Sequence, residues 1–349
     1  MPGVPVIAIL DDPSFDRHRS PGGRHPECPK RLDAARAGVA AALDGHPVVS
    51  VGARAASLSE LAAVHDPTHL ARLARTVGEG AGQVDADTFF GPGTWEAATR
   101  AAGGAVALMD SLLSGQAQRG MALVRPPGHH ATPDAAMGFC LLNNIAVAVA
   151  VARARGVERV AIVDWDVHHG NGTQAAFEAD PSVAFFSLHQ WPLYPGTGAA
   201  TELGRGRGHG LTRNVPLPPG TGPEGYGAAL RELVLPTLRA FQPGLLLISA
   251  GFDADRRDPL AEMALDPATF GGMTRALLDA LDPEVPVALF LEGGYDLTAV
   301  EEDARAVVDA LAGGVTALPD AAPRPAERRA IADVAKAWAA APTPRGGKG

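Results

Sequence analysis

Short, nearly continuous apolar runs alternate along the chain with longer stretches of helical periodicity. The runs are Val6–Leu10, Met121–Val124, Val160–Val163, Val183–Phe186, Leu245–Ser249 and Val287–Leu291. A strand covered on both faces reads this way, because neither face needs polar residues, and such strands belong to parallel sheets. Between the runs, helices are predicted over Pro29–Leu43, Thr94–Leu113, Asn144–Ala154, Pro223–Ala240, Pro267–Leu281 and Thr298–Leu311. Asp266 before Pro267 is an N-cap followed by proline at the first helical position, where a missing N–H costs nothing. Asn143 can cap the helix after it. The alternation predicts an α/β fold: a doubly wound, mostly parallel sheet with helices on both faces. No internal repeat or composition break precedes Gly313. One domain is therefore expected over residues 1–312. A C-terminal extension with one helix, around Trp338, is expected over 313–341, and a disordered tail over 342–349.

Composition narrows the class. With 349 residues, 46% hydrophobic and 20% charged, the chain can bury a core unaided and is not a disordered protein. The net charge of −9 leaves no basic footprint for a nucleic acid. The two cysteines, Cys28 and Cys140, form no CxxC. They supply neither a disulfide framework nor a thiolate zinc site, and a reducing cytoplasm is the expected location. Met1–Leu10 lacks a basic start and runs into Asp11, so no signal peptide is expected. No run of 18 apolar residues predicts a membrane span.

In open α/β sheets ligands bind beyond the carboxyl ends of the strands. Those ends carry Arg125-Pro-Pro-Gly-His129-His130, Asp164-Trp-Asp166-Val-His168-His169-Gly-Asn171, Ser187-Leu188-His189, Gly251-Phe-Asp253 and Glu292-Gly293-Gly294-Tyr295. Asp164-x-Asp166-x-His168 is the sharpest motif. In an extended segment residues i, i+2 and i+4 point one way, so the three side chains can converge. Carboxylates with imidazole suit Zn²⁺ or Fe²⁺. Taken alone, the two aspartates could equally cap the next helix; Asp253 on another strand end tips the balance towards a metal. His129 and His130 suit acid–base work near neutral pH, against the alternative of an exposed loop pair. Gly293-Gly294-Tyr295 offers close backbone approach and a phenol donor, or simply a packed turn. His169 and His189 are expected to be satisfied structural histidines, and Gly204–His209 a flexible surface loop. Cys140 reads as a small packing residue rather than a nucleophile. GxGxxG and Walker A loops are absent, and Ser249-Ala-Gly251 lacks the first glycine of a nucleophile elbow.

With these residues in place, the chain resembles the histone deacetylase family, most closely its class II and bacterial branch. The matching stretches run in order: His25-Pro-Glu27 with Arg31-Leu32, Arg125 to His130, Gly138-Phe139-Cys140 with Asn143-Asn144, Asp164 to Gly172, Tyr194-Pro-Gly-Thr-Gly198, Gly251 to Ala254 with Asp258-Pro259, and Glu292 to Tyr295. The resemblance implies an arginase-like fold with a central eight-stranded sheet. It implies one catalytic Zn²⁺ on Asp166, His168 and Asp253, and a K⁺ or Na⁺ behind it on Asp164, Asp166, His168, Ser187 and Leu188. A second monovalent site would lie near Phe177 and Val183. His130 would be the general base, oriented by Asn171 where class I members carry a carboxylate. His129 would be its electrostatic partner, bonded to Asp164. Tyr295 would stabilise the oxyanion. Gly138, Phe139 and Tyr194 would wall an acyl-lysine tunnel, with Leu260 and Asp87 at its rim and Gly293 and Gly294 beside the metal. Cys28 and the basic segment Arg17–Gly23, in a rim loop, depart from the family pattern.

The implied activity is zinc-dependent removal of acetyl groups from acetyl-lysine in proteins or peptides; the runner-up is deacetylation of an acetylpolyamine or another small amide. A ureohydrolase of the same fold would need two Mn²⁺ ions, and a dead acyl-lysine reader would show a broken site. The expected partners are an acetylated substrate, no nucleic acid and no membrane. A homodimer is compatible, with the Arg17–Gly23 loop or the C-terminal helix near its interface.

Overall fold

The computed structural model describes residues 4–342. Ten strands occur among them: β1 (Ile7–Leu10), β2 (Val48–Val51), β3 (Gly82–Gln83), β4 (Phe89–Phe90), β5 (Arg119–Ala122), β6 (Val160–Asp164), β7 (Val183–Gln190), β8 (Thr212–Leu217), β9 (Leu245–Ala250) and β10 (Val287–Leu291). Eight form one sheet in the order β2-β1-β5-β10-β9-β6-β7-β8. Every pairing in it is parallel. β3 and β4 make a separate antiparallel hairpin. Strands β6, β7, β9 and β10 are buried at every position, which is why their sequences show no polar alternation.

The helices match the periodicity with small shifts, such as Lys30–Ala42, Thr94–Leu113, Asn144–Ala154 and Leu297–Leu311. Asp266 caps its helix through Thr269 N–H, and Asn143 its own through Ala146 N–H. The sequence reading placed β5 two residues late and missed β2, β8 and the helices Pro67–Gly78 and Asn171–Phe177. The predicted helix over Pro223–Ala240 is interrupted: Leu230–Val234 widens to a π turn, with Leu235 N–H reaching back to Leu230 O. Pro236 follows immediately and has no N–H to give, so the break in register costs little there.

The C-terminal helix, Pro325–Trp338, lies against β8. Trp338 Nε1–H donates to Asn214 O (3.2 Å), and Arg213 donates to Trp338 O (3.1 Å) and Pro342 O (2.9 Å). The rest of the expected tail, 343–349, lies outside the described residues. No helix among the described residues is long and apolar enough to cross a membrane.

Strand order decides where the chemistry meets. β5, β10, β9 and β6 are consecutive neighbours, and Asp164 at the end of β6 pairs in register with Ser249 of β9. The loops after these four strands therefore emerge side by side.

Candidate metal and acid–base site

Asp166, His168 and Asp253 each offer a ligand atom, all within 4.8 Å of one another. The convergence does not come from strand pleating, as the sequence reading assumed. β6 ends at Asp164, and the chain then bends. Asp164 Oδ1 accepts from Asp166 N–H (3.1 Å) and Asp166 Oδ1 from His168 N–H (2.9 Å). These turns aim Asp166 and His168 at Asp253 and send Asp164 to His129 instead. His168 Nδ1 lies 3.1 Å from Asp166 and 3.2 Å from Asp253. Val167 N–H holds Asp253 Oδ1 (2.9 Å) and Gly293 N–H holds Asp166 Oδ2 (2.8 Å). A Cβ on Gly293 would sit 2.1 Å from Asp253 Oδ2, and one on Gly251 2.1 Å from Asp166 Oδ2. Both positions must be glycine for the carboxylates to stand so close.

The two histidines of the Pro-Pro-Gly loop are turned inward together, their rings 4.0 Å apart. Glu292 fixes that loop by accepting from Gly128 N–H (2.7 Å) and His129 N–H (3.1 Å). His129 Nδ1 meets Asp164 Oδ2 at 3.0 Å, and His130 Nδ1 meets Asn171 Oδ1 at 2.7 Å. The Asn171 amide is oriented by its Nδ2, which donates to His130 O and Met137 Sδ. Its Oδ1 can only accept, so His130 carries its proton on Nδ1 and keeps a lone pair on Nε2. Burial lowers the His129 pKa, but Asp166 and Asp164 outweigh it and hold the ring well above its ordinary value. His130 moves the other way: burial, then His129 and His168, push it well below. Neighbouring imidazoles with opposed shifts are the arrangement acid–base chemistry needs.

These groups line a cleft of about 230 Å³ with Asp87, Pro127, Gly138, Phe139, Leu193, Tyr194, Leu260, Gly293 and Tyr295. Gly138 takes φ 56° and Phe139 φ 68°; a Cβ on Gly138 would strike the His130 ring at 2.4 Å. Phe139 meets Tyr295 edge-on at 5.9 Å, and Tyr194 meets His130 edge-on at 5.1 Å. Tyr295 N–H is held by Asp258 Oδ2 (2.6 Å), and the Arg31 guanidinium lies 5.0 Å from its ring. Arg31 also donates to Glu292 O and Gly294 O. Asp87 stands at the mouth on the β3–β4 hairpin, its carboxylate accepting from Thr88 Oγ1 (3.0 Å). Leu260 is 37% exposed at the rim. Ser187 lies beside Asp164 in register, and its Oγ pairs with His189 Nδ1 (3.0 Å). Leu188 is the next residue on that strand.

His169 and His189 are buried with all ring nitrogens engaged: His169 by Thr197 and Gln174, His189 by Ser187 and Gly198 O. Cys140 is buried and free, and burial raises its thiol pKa well above the usual value. His209 is an exposed loop residue. The sequence reading gave no role to Pro127 and Leu193, which line the cleft, nor to Glu292 and Asp258, which position it. Glu292 and Asp258 were visible only as members of longer motifs, and their contacts span distant loops.

A profile of the histone deacetylase domain matches residues 25–311. A histone deacetylase-like amidohydrolase of Pseudomonas aeruginosa is 44% identical over 269 residues, covering 76% of this chain and 71% of that protein. The human polyamine deacetylase HDAC10 is 40% identical over 307 residues, 82% of this chain and 45% of its own length. The crystal structure of the HDA15 HD domain superposes with a TM-score of 0.90 at 39% identity, covering 96% of this chain and 95% of that one.

Proposed function

The chain belongs to the histone deacetylase family, and from that premise we propose that it removes acetyl groups from acetyl-lysine in proteins or peptides, with one Zn²⁺ on Asp166, His168 and Asp253. The observation that carries this reading is the pair of buried carboxylates and an imidazole within 4.8 Å, beside two imidazoles of opposed basicity. The donor set fits the ion. Asp166 and Asp253 are buried and face one another, and Asp253 is pushed up by burial and by the Asp166 charge. A dication relieves that repulsion, and two oxygens with one nitrogen leave a fourth position open. Zinc bound there would supply Lewis acidity, lowering the pKa of a water and polarising an acyl oxygen.

The remaining work falls to the chain. His130 Nε2, kept unprotonated, takes the proton of the attacking water. His129, kept cationic on Asp164, stabilises the negative charge that develops, and the imidazole pair returns a proton to the leaving amine. The Tyr295 phenol donates to the oxyanion. Gly138, Phe139 and Tyr194 enclose the linear side chain and exclude water, while Gly293 and Gly294 let the backbone approach. Asp87 accepts from substrate backbone N–H groups. K⁺ or Na⁺ would sit on Asp164, Asp166, His168, Ser187 and Leu188.

Leu260 at the rim supports a peptide over a polyamine, since it has no carboxylate to attract a distant ammonium. The test compares acetyl-lysine peptide with acetylspermidine and acetylputrescine on zinc-reconstituted protein, with Asp253→Ala as control. Faster peptide turnover, lost in the control, with one zinc per chain is the expected result. A polyamine preference would overturn the substrate, and two tightly bound divalent ions the mechanism.

A further inference from the structure

A second, larger hollow of about 840 Å³ opens beside the cleft and shares no lining residue with it. Its walls include Arg19, Arg24, His25, Cys28, Lys30 and Asp33. The charges there do not cancel. Asp33 is engaged by Arg36 (3.3 Å), which also binds Asp11 and Asp16. Glu27, at the floor, is buried and bonded to Arg125 and Arg31. Arg19 spends its Nε–H on the Asp16 carbonyl. Among the described residues Arg19, Arg24 and Lys30 make no ion pair, so three cations face the hollow against one exposed carboxylate, Asp33, which shares the single charge of Arg36 with Asp11 and Asp16; the lining keeps an excess of positive charge in a chain of net charge −9.

The hollow is also tied to the cleft. His25 meets Phe139, the cleft wall, edge-on at 4.7 Å, and Phe89 at 4.6 Å. One aromatic layer separates the two spaces. An extended chain advances ~3.3 Å per residue, so a peptide with its acyl-lysine in the cleft reaches the hollow within about two to four residues. We infer that the hollow formed by Arg19, Arg24 and Lys30 receives acidic side chains of the substrate polypeptide, so that the protein selects acyl-lysines flanked by aspartate or glutamate. The inference rests on the deacetylase reading and adds a substrate class to it. Each carboxylate placed there finds an unpaired cation, and the gain is local because charges are screened beyond ~8–10 Å at physiological salt.

The experiment uses acetyl-lysine peptides with Glu-Glu two to four residues before or after the acyl-lysine, matched to Gln-Gln and Lys-Lys peptides. For one placement the Glu-Glu peptide is expected to exceed its Gln-Gln match about five- to tenfold in kcat/KM at low salt, chiefly through KM, and to lose the advantage in 0.5 M NaCl. The double variant Arg24→Gln/Lys30→Gln should erase the difference and leave turnover of a small neutral acetyl-lysine amide unchanged. Equal rates on all three peptides, or a preference that survives in the variant, would overturn the inference. Inactivity on the neutral amide would instead sink the deacetylase reading. Fluorescence anisotropy of the labelled Glu-Glu peptide then judges the hollow by itself: weaker binding to the variant supports it, and equal binding refutes it.

Discussion

Two pairs of buried imidazoles stand close together in this fold and behave as opposites. His129 and His130 lie 4.0 Å apart, and His169 and His189 lie 4.9 Å apart. Both pairs are almost wholly shielded. In the second pair every ring nitrogen is spent on Thr197, Gln174, Ser187 or the Gly198 carbonyl. In the first, His130 spends only Nδ1 on a protein group and turns Nε2 to the cleft. Between these two pairs, burial and residue type therefore do not mark the reactive one; a nitrogen left free on a ring that lines the cleft does. His65 belongs with the satisfied group, since its Nε2 accepts from Asn143 N–H (3.0 Å) and its Nδ1 donates to Thr132 O (2.9 Å).

The comparison breaks most readily at His130. Replacing it with alanine should lower kcat by about 10³–10⁴-fold in a peptide deacetylation assay, with thermal stability barely changed. Tyr295→Phe removes one donor from the same cleft and should cost about 10²–10³ in kcat; near-normal turnover would take the phenol out of the chemistry. His189→Asn tests the other side. It strands Ser187 Oγ or the Gly198 carbonyl and should cost about 2–3 kcal/mol by chemical denaturation, while the folded fraction stays active.

The smallest effect is one of pH. Burial holds the His65 pKa near 4, against 6.5 in the unfolded chain. Below pH 6.5 the unfolded chain therefore binds a proton that the fold refuses. The contribution of this ring is full above pH 6.5 and is lost by about 1.4 kcal/mol per pH unit as pH falls towards 4. Denaturant titrations at pH 7 and 5 should show a shallower loss for His65→Gln than for the parent.

The sheet's interior could be read from the chain because its strands are covered on both faces, and continuous apolar character survives without tertiary information. The edges could not. β2 is short and half-exposed, and β8 carries Arg213, Asn214 and Pro216. Those polar residues are buried only because Trp338 and Gln174 arrive from elsewhere to satisfy them. Asp66-Pro67 opens a helix with the same cap-then-proline signal as Asp266-Pro267. In the site, Asp166, His168 and Asp253 were legible from residue type and from the rule that strand ends carry ligands. The turn that diverts Asp164 to His129 was not, since it depends on which oxygen meets which N–H. The basic hollow was foreshadowed only as an unusual loop, because pairing among Asp33, Arg36, Glu27 and Arg125 decides which charges remain.

The indole of Trp338, donating to a carbonyl of β8, does more than seat a helix. A terminal strand in a parallel sheet presents a ladder of open amides to any extended chain that drifts past. With Pro325–Trp338 lying against it, β8 has a neighbour of its own on that side, whereas the other terminal strand, β2, stays half-exposed.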